Sequence, residues 1–135
     1  MFLHRFNEMS FMKKLDPKLI VRQFNDCINN RDLIGLTKLM TDDHTFIDRD
    51  GTETKTKKVM TENWRKFFAM VPDYKNTFTK IESTKDIVII IGYAFWSKDQ
   101  PLDNIIWTAK ISDDLIKEWR IYQDTEQTRH TLNLL

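Results

Sequence analysis

The 135-residue sequence predicts an α+β fold in which three helices of the N-terminal half pack on one face of a strongly curved, antiparallel or mixed β-sheet. Two observations predict this division. Apolar residues before Pro72 recur mostly at helical spacing between capping residues, whereas those after it fall into β-rich runs separated by short polar turns. A third observation concerns the interior. Trp64, Trp96, Trp107 and Trp119, with Phe46, Phe67, Phe68, Tyr74, Tyr93 and Tyr122, are more bulky rings than a thin helix-on-sheet layer needs. Such rings either fill an ordinary core or line a cavity.

Asp16-Pro17 opens the first helix, because an Asp side chain caps free N–H groups and the first helical position tolerates the missing donor of Pro. Ile20, Phe24, Cys27 and Ile28 then share a stripe, and Asn29-Asn30 ends it. Asp32 caps a second short helix with a stripe of Leu33, Leu36, Leu39 and Met40. After the turn Thr41-Asp42-Asp43, the alternation of His44 to Asp48 predicts a short strand that Arg49-Asp50-Gly51 turns back. Met60, Asn63/Trp64, Phe67/Phe68 and Val71 mark the longest amphipathic helix, over about residues 56–71, stopped by Pro72. Four antiparallel strands follow over 74–82, 87–97, 104–111 and 115–122, the last two joined at Ser112-Asp113-Asp114 in a tight hairpin.

The chain reads as one domain over 16–126, with a ragged extension at 1–15, where Met9 and Met12 are alternative starts, and a tail at 127–135. Twenty-one basic residues against 20 acidic, with no Lys/Arg block, argue against a nucleic-acid partner, which needs a basic stripe. The longest apolar stretch, Ile87 to Ile91 continued by Gly92 to Trp96, falls far short of the roughly 20 residues that cross a bilayer, so no membrane partner is expected. A single cysteine, Cys27, forms no intrachain disulfide and fits a reducing, cytoplasmic setting. On the buried stripe of the first helix its thiol is expected to be unreactive.

Several strings, in this order, resemble the NTF2-like superfamily and, within it, the SnoaL-like and ketosteroid-isomerase-like (polyketide cyclase-like) branch. They are Asn29-Asn30-Arg31-Asp32-Leu33, Asp42-Asp43-His44-Thr45-Phe46-Ile47-Asp48, Pro72-Asp73-Tyr74 and Trp119-Arg120-Ile121-Tyr122-Gln123-Asp124, and the resemblance covers about 17–125. It implies a cone: a bent sheet wraps the long helix and leaves an apolar pocket open at one end. It also implies small, mostly hydrophobic ligands and chemistry that requires no cofactor. The family includes isomerases, cyclases, epoxide hydrolases and domains that only bind or assemble, so the fold does not fix the function.

Three residues are candidates for catalysis. Asp48 resembles the proton-shuttling aspartate of the isomerase branch, and a carboxyl in a dry pocket is tunable toward general acid or base work. His44 shares a strand face with Phe46 and Asp48, roughly 13 Å from Asp48 at about 3.3 Å per residue, so the two would bracket a ligand rather than bond. The alternatives are an Asp48 that only caps its turn and a His44 satisfied at the rim. Asp124 resembles the acid/base aspartate of the cyclase branch, but its parity is awkward. Glu118, Arg120, Tyr122 and Asp124 share one strand face and Trp119, Ile121 and Gln123 the other, so Trp119 and Asp124 both meet the pocket only across a bulge. Otherwise Asp124 makes a salt bridge with Arg120 or Arg129.

Phe46, Trp64, Phe68, Tyr74, Tyr93, Trp107, Trp119 and Tyr122 are the candidate substrate-binding rings. In the resemblance, the isomerase's donor tyrosine falls at Phe24 and its neutral aspartate near Trp107. The loss of both donors argues against true ketosteroid isomerisation, because enolisation needs them for the developing oxyanion. No metal site is expected, since His44 with Asp42, Asp43 or Asp48 makes a poor ligand set. The sequence therefore predicts a small-molecule pocket with Asp48 or Asp124 as proton shuttle, or else a non-catalytic binding or dimerisation module. Apolar residues on both faces of 87–91 predict a homodimer packed through the sheet.

Overall fold

A computed structural model describes residues 14–134. Most of the expected extension 1–15, including Met9 and Met12, lies outside the described residues. Helix α1 (Pro17–Asn29) starts as its sequence dictates: the Asp16 carboxylate accepts from Lys18 N at 3.0 Å, and Pro17 takes the first position. It buries Ile20, Val21, Phe24 and Ile28. Helix α2 (Leu33–Lys38) is capped by Asp32, which accepts from Gly35 N at 2.9 Å. Helix α3 (Lys57–Met70) is capped by Thr56 through Val59 N and buries Met60 and Trp64 one turn apart.

Six strands form one sheet in the order β2-β1-β6-β5-β4-β3, where β1 is Met40–Ile47, β2 Glu53–Lys55, β3 Lys75–Ser83, β4 Val88–Phe95, β5 Asp103–Ser112 and β6 Leu115–Gln123. The pair β1–β6 is parallel and all others are antiparallel, so the sheet is mixed. Three details correct the sequence reading. Met40 begins β1 rather than ending α2, so the strand starts four residues earlier than His44; β2 is an additional edge strand; and the expected tail forms a short helix, α4 (Glu126–Thr131), capped by Thr125.

Curvature comes from register shifts between Phe78 and Lys80, Lys110 and Ile111, and Met40 and Thr45. Opposite the first, Gly92 is required by contact, since a Cβ there would lie 1.9 Å from the Thr77 carbonyl oxygen. The concave face and the helices enclose a core in which Phe24 packs on Trp119 at 4.8 Å between ring centroids and Phe78 on Trp107 at 5.0 Å. A polar clamp fixes the entry of β3. Asn29 Nδ2 donates to Asn76 O, and Asn76 N donates to Asn29 Oδ1, both at 2.9 Å. Arg31 adds hydrogen bonds to the carbonyls of Asn29 and Pro72, tying the α1–α2 loop to the end of α3.

Candidate functional site

The rings Phe24, Phe78, Trp107 and Trp119 fill the depth of the cone, and the space that remains lies at its mouth. There a cavity of about 620 Å³ opens between α3, the β1–β2 turn and the starts of β3 and β5. Its apolar wall is Phe46, Met60, Trp64, Phe67, Tyr74, Trp96 and Ile121. Phe67, Tyr74 and Trp96 meet edge to face, with centroids 4.8 Å (Phe67–Tyr74), 4.8 Å (Tyr74–Trp96) and 5.8 Å (Phe67–Trp96) apart.

The polar side of the mouth is built around Asp103, the first residue of β5 and on its concave face. Its Oδ2 accepts from Arg49 Nη2 at 2.9 Å and from Trp96 Nε1 at 3.0 Å, and its Oδ1 faces Arg49 Nη1 at 3.4 Å. Arg49 Nη1 also donates to Gln123 Oε1 at 2.6 Å. Partial burial would raise the Asp103 pKa, but the hydrogen bonds and charge of Arg49 and the Trp96 N–H together outweigh it and hold the carboxyl below its ordinary range. Arg49 is pushed up in turn, first by its hydrogen bonds to Asp103. Burial, reinforced by Asp103, raises the phenol of Tyr74 well above its usual value. Tyr74 therefore stays protonated at neutral pH and is a donor.

Asp48, just past the end of β1, lines the same mouth. Its backbone holds the turn, with Gly51 N donating to Asp48 O and Asp48 N to Thr52 O, while its Oδ1 accepts from Arg49 N at 2.7 Å. Turn-capping and cavity-lining are thus both true of this residue, which is exposed at the rim rather than enclosed in the dry pocket expected for it. Gly51 adopts φ +87° at the corner, where a side chain would be strained.

Four of the sequence candidates, Asp48, Phe46, Trp64 and Tyr74, come together here; the others do not. His44 is fully buried against Phe24, with Nδ1 2.8 Å from Ile116 O, far from the rim position considered for it. Since a carbonyl only accepts, Nδ1 carries the proton, and burial lowers the His44 pKa. Asp124 is not among the lining residues. The pairing of β5 with β6 is regular from Ile105/Gln123 to Ala109/Trp119, so no bulge intervenes, Trp119 faces inward and Asp124 takes the opposite parity. It forms a two-pronged ion pair with Arg129 of α4, at 2.8 and 3.0 Å.

Phe68 packs behind Trp64 at 5.7 Å, and Trp107 and Trp119 belong to the core below the cavity. Tyr93 and Tyr122 stand on the convex face, where Arg120 lies 4.6 Å over the Tyr122 ring. Arg49 and Asp103 were missed because a turn arginine and a loop aspartate carry no local signal; only the tertiary pairing makes them a unit. Cys27 is half-buried and its thiol is pushed up, chiefly by burial and then by Asp32.

Residues 21–119 match the SnoaL-like domain family, which is more than half of the chain. The chain belongs to the SnoaL-like family. Its fold is NTF2-like. It is similar to an NTF2-like protein of unknown function from Cytophaga hutchinsonii, with a TM-score of 0.69 at 12% identity over 90% of this chain and 98% of that one. An LEH-like epoxide hydrolase from M. tuberculosis superposes with a TM-score of 0.71 at 14% identity, covering 80% of this chain and 78% of the other. A protein assigned to the SnoaL-like polyketide cyclases, from Shewanella putrefaciens, gives 0.72 at 11% identity over 96% and 94%. At such identities the likeness is one of fold. A search of curated proteins returns no match.

Proposed function

We propose that this SnoaL-like protein is a cofactor-independent acid/base enzyme acting on a small, largely apolar or amphipathic molecule held at the mouth of the cone. The observation that carries the proposal is the convergence of a protonated phenol, Tyr74, and an Arg49-clamped carboxylate, Asp103, on an open, aromatic-walled cavity. A cavity plugged by rings throughout would have favoured a purely structural role; here the rings fill only the depth. In the proposed reaction Asp48 takes a proton from the substrate and returns it at the product position, while the Tyr74 O–H donates to the oxygen on which charge develops. Asp103 serves as a positioning residue. Clamped by two donors it is a weak base, and it holds Arg49 and Trp96 against the substrate. Similarity in fold to isomerase-, cyclase- and hydrolase-type proteins supports this range of chemistry without selecting within it.

The test is a ligand screen by tryptophan fluorescence and calorimetry, followed by turnover of each binder. Asp48→Asn should lower kcat by about 10²–10⁴ while binding persists, and Tyr74→Phe should lower it less. Unaltered turnover in Asp48→Asn would overturn the role assigned to it. Asp124→Asn is the control for the alternative shuttle. Binding without turnover of any ligand would favour the carrier reading.

The same reading includes a homodimer through the convex face of the sheet, where Ile91, Tyr93 and Tyr122 remain part-exposed. A second copy would cover these side chains. A monomer in light scattering at micromolar concentration would refute it. A cytoplasmic setting is proposed on the single, unpaired Cys27. No helix among the described residues is long and apolar enough to cross a membrane.

A further inference from the structure

The charge at the cavity is unevenly distributed. Three carboxylates, Asp48, Asp50 and Asp103, line it against one cation, Arg49, and no other Lys, Arg or His does so among the described residues. Arg49 is moreover committed: its guanidinium bonds Asp103 twice and Gln123 once. An anionic ligand would find no free positive partner and would face the carboxylates of Asp48 and Asp50. Asp50 spends Oδ1 on Thr52 N, and Asp48 spends Oδ1 on Arg49 N, which leaves one oxygen of each without a protein hydrogen bond among the described residues. The same cavity is lined by Trp64, Phe67, Tyr74 and Trp96, rings of the kind that attract an organic cation.

Aromatic rings and the uncompensated carboxylates of Asp48 and Asp50 lining one cavity form an environment for a cation with an apolar body. From this arrangement, and resting on the reading of the cavity as a substrate site, we propose that the SnoaL-like protein selects a small organic amine, protonated at neutral pH, over a carboxylate or phosphate of the same shape. The apolar part lies against Phe46, Met60 and Ile121, and the ammonium sits between the rings and the Asp48–Asp50 turn. The rim is exposed, so salt screens the preference.

Three probes of similar size test this: 2-phenylethylamine, 3-phenylpropionate and neutral 2-phenylethanol, titrated into the full chain by tryptophan fluorescence at low and at physiological ionic strength. The ammonium should bind about tenfold more tightly than the carboxylate at low salt, and the ratio should shrink on adding salt. In the double variant Asp48→Asn/Asp50→Asn the ratio should approach one while 2-phenylethanol binds unchanged, which also shows that the variant is folded. Equal or tighter binding of the carboxylate, with the alcohol still binding, overturns the charge preference and leaves the cavity as a ligand site. Failure of all three probes at millimolar concentration overturns both.

Discussion

The Arg49–Asp103 pair is the part of the mouth whose energetics follow most directly from its geometry. The two side chains are 32% and 19% exposed and bond at 2.9 Å, with a second contact at 3.4 Å. At 2.9 Å a bare charge pair is worth about 1.4 kcal/mol in water and about 6 kcal/mol at an effective dielectric of 20, before desolvation is subtracted. Exposed pairs measure about 0.2–1 kcal/mol and charged hydrogen bonds about 1.5–3 kcal/mol, so a coupling of about 1–2 kcal/mol is expected for this partly buried, two-pronged case. The measurement is a double-mutant cycle of Arg49→Met, Asp103→Asn and the pair, by urea denaturation followed through tryptophan fluorescence. Its pH dependence has a fixed sign. The carboxyl is held below its ordinary 3.8 in the fold, so the coupling is fully present above about pH 4 and declines as pH falls through the lower, folded value. A coupling equal at pH 7 and pH 2.5, or absent at pH 7, would refute the ion-pair reasoning.

His44 gives a second pH effect at a different place. Because burial lowers its pKa below 6.5, the unfolded chain takes up a proton that the fold resists, and stability falls on acidification below that value by up to about 1.4 kcal/mol per pH unit. His44→Gln should flatten the stability profile between pH 6.5 and 5, and an unchanged slope would show that His44 is not its source. Gly92→Ala should cost about 3 kcal/mol or more, since its Cβ meets backbone at 1.9 Å, and thermal unfolding measures this. Asp124→Asn should cost only about 0.5–1 kcal/mol, through the ion pair with Arg129, and leave ligand affinity at the cavity unchanged. A loss of affinity would place Asp124 in the site after all.

The first three helices were legible because their signals are local: Asp16 and Asp32 cap within three residues, and the stripes need only the helical period. The start of β1 was hidden because Thr41, Asp42 and Asp43 are polar and follow an irregular register beside β6, so they read as a turn. Strand β2 has three residues at a sheet edge and buries none of them fully, and α4 buries nothing, so neither carries an apolar pattern. The parity of β6 was legible and decisive. Once Trp119 is inside, regular pairing turns Asp124 to the opposite face. What the sequence concealed was the partnership of Arg49 with Asp103, 54 residues away, which depends on how the β1–β2 turn folds over the end of β5.

That arrangement separates what holds the fold from what gives the mouth its chemistry. Phe24, Trp107 and Trp119 pack from the middles of α1, β5 and β6, so a change among them alters volume in a filled core and is felt as stability. Asp48, Arg49, Trp96 and Asp103 sit in turns or at strand ends, where a different side chain leaves the inner packing intact. Positions of this kind are usually mobile, yet here each is anchored: Asp48 by the backbone bonds of its turn, Arg49 and Trp96 by the shared oxygen of Asp103, and Tyr74 by Phe67, Trp96 and the nearby Asn29–Asn76 clamp. Because the groups at the mouth can differ while the core that holds them does not, likeness of fold stops short of naming the reaction. In this chain those positions carry an excess of acid beside aromatic rings, the combination on which the proposed preference for an organic amine rests.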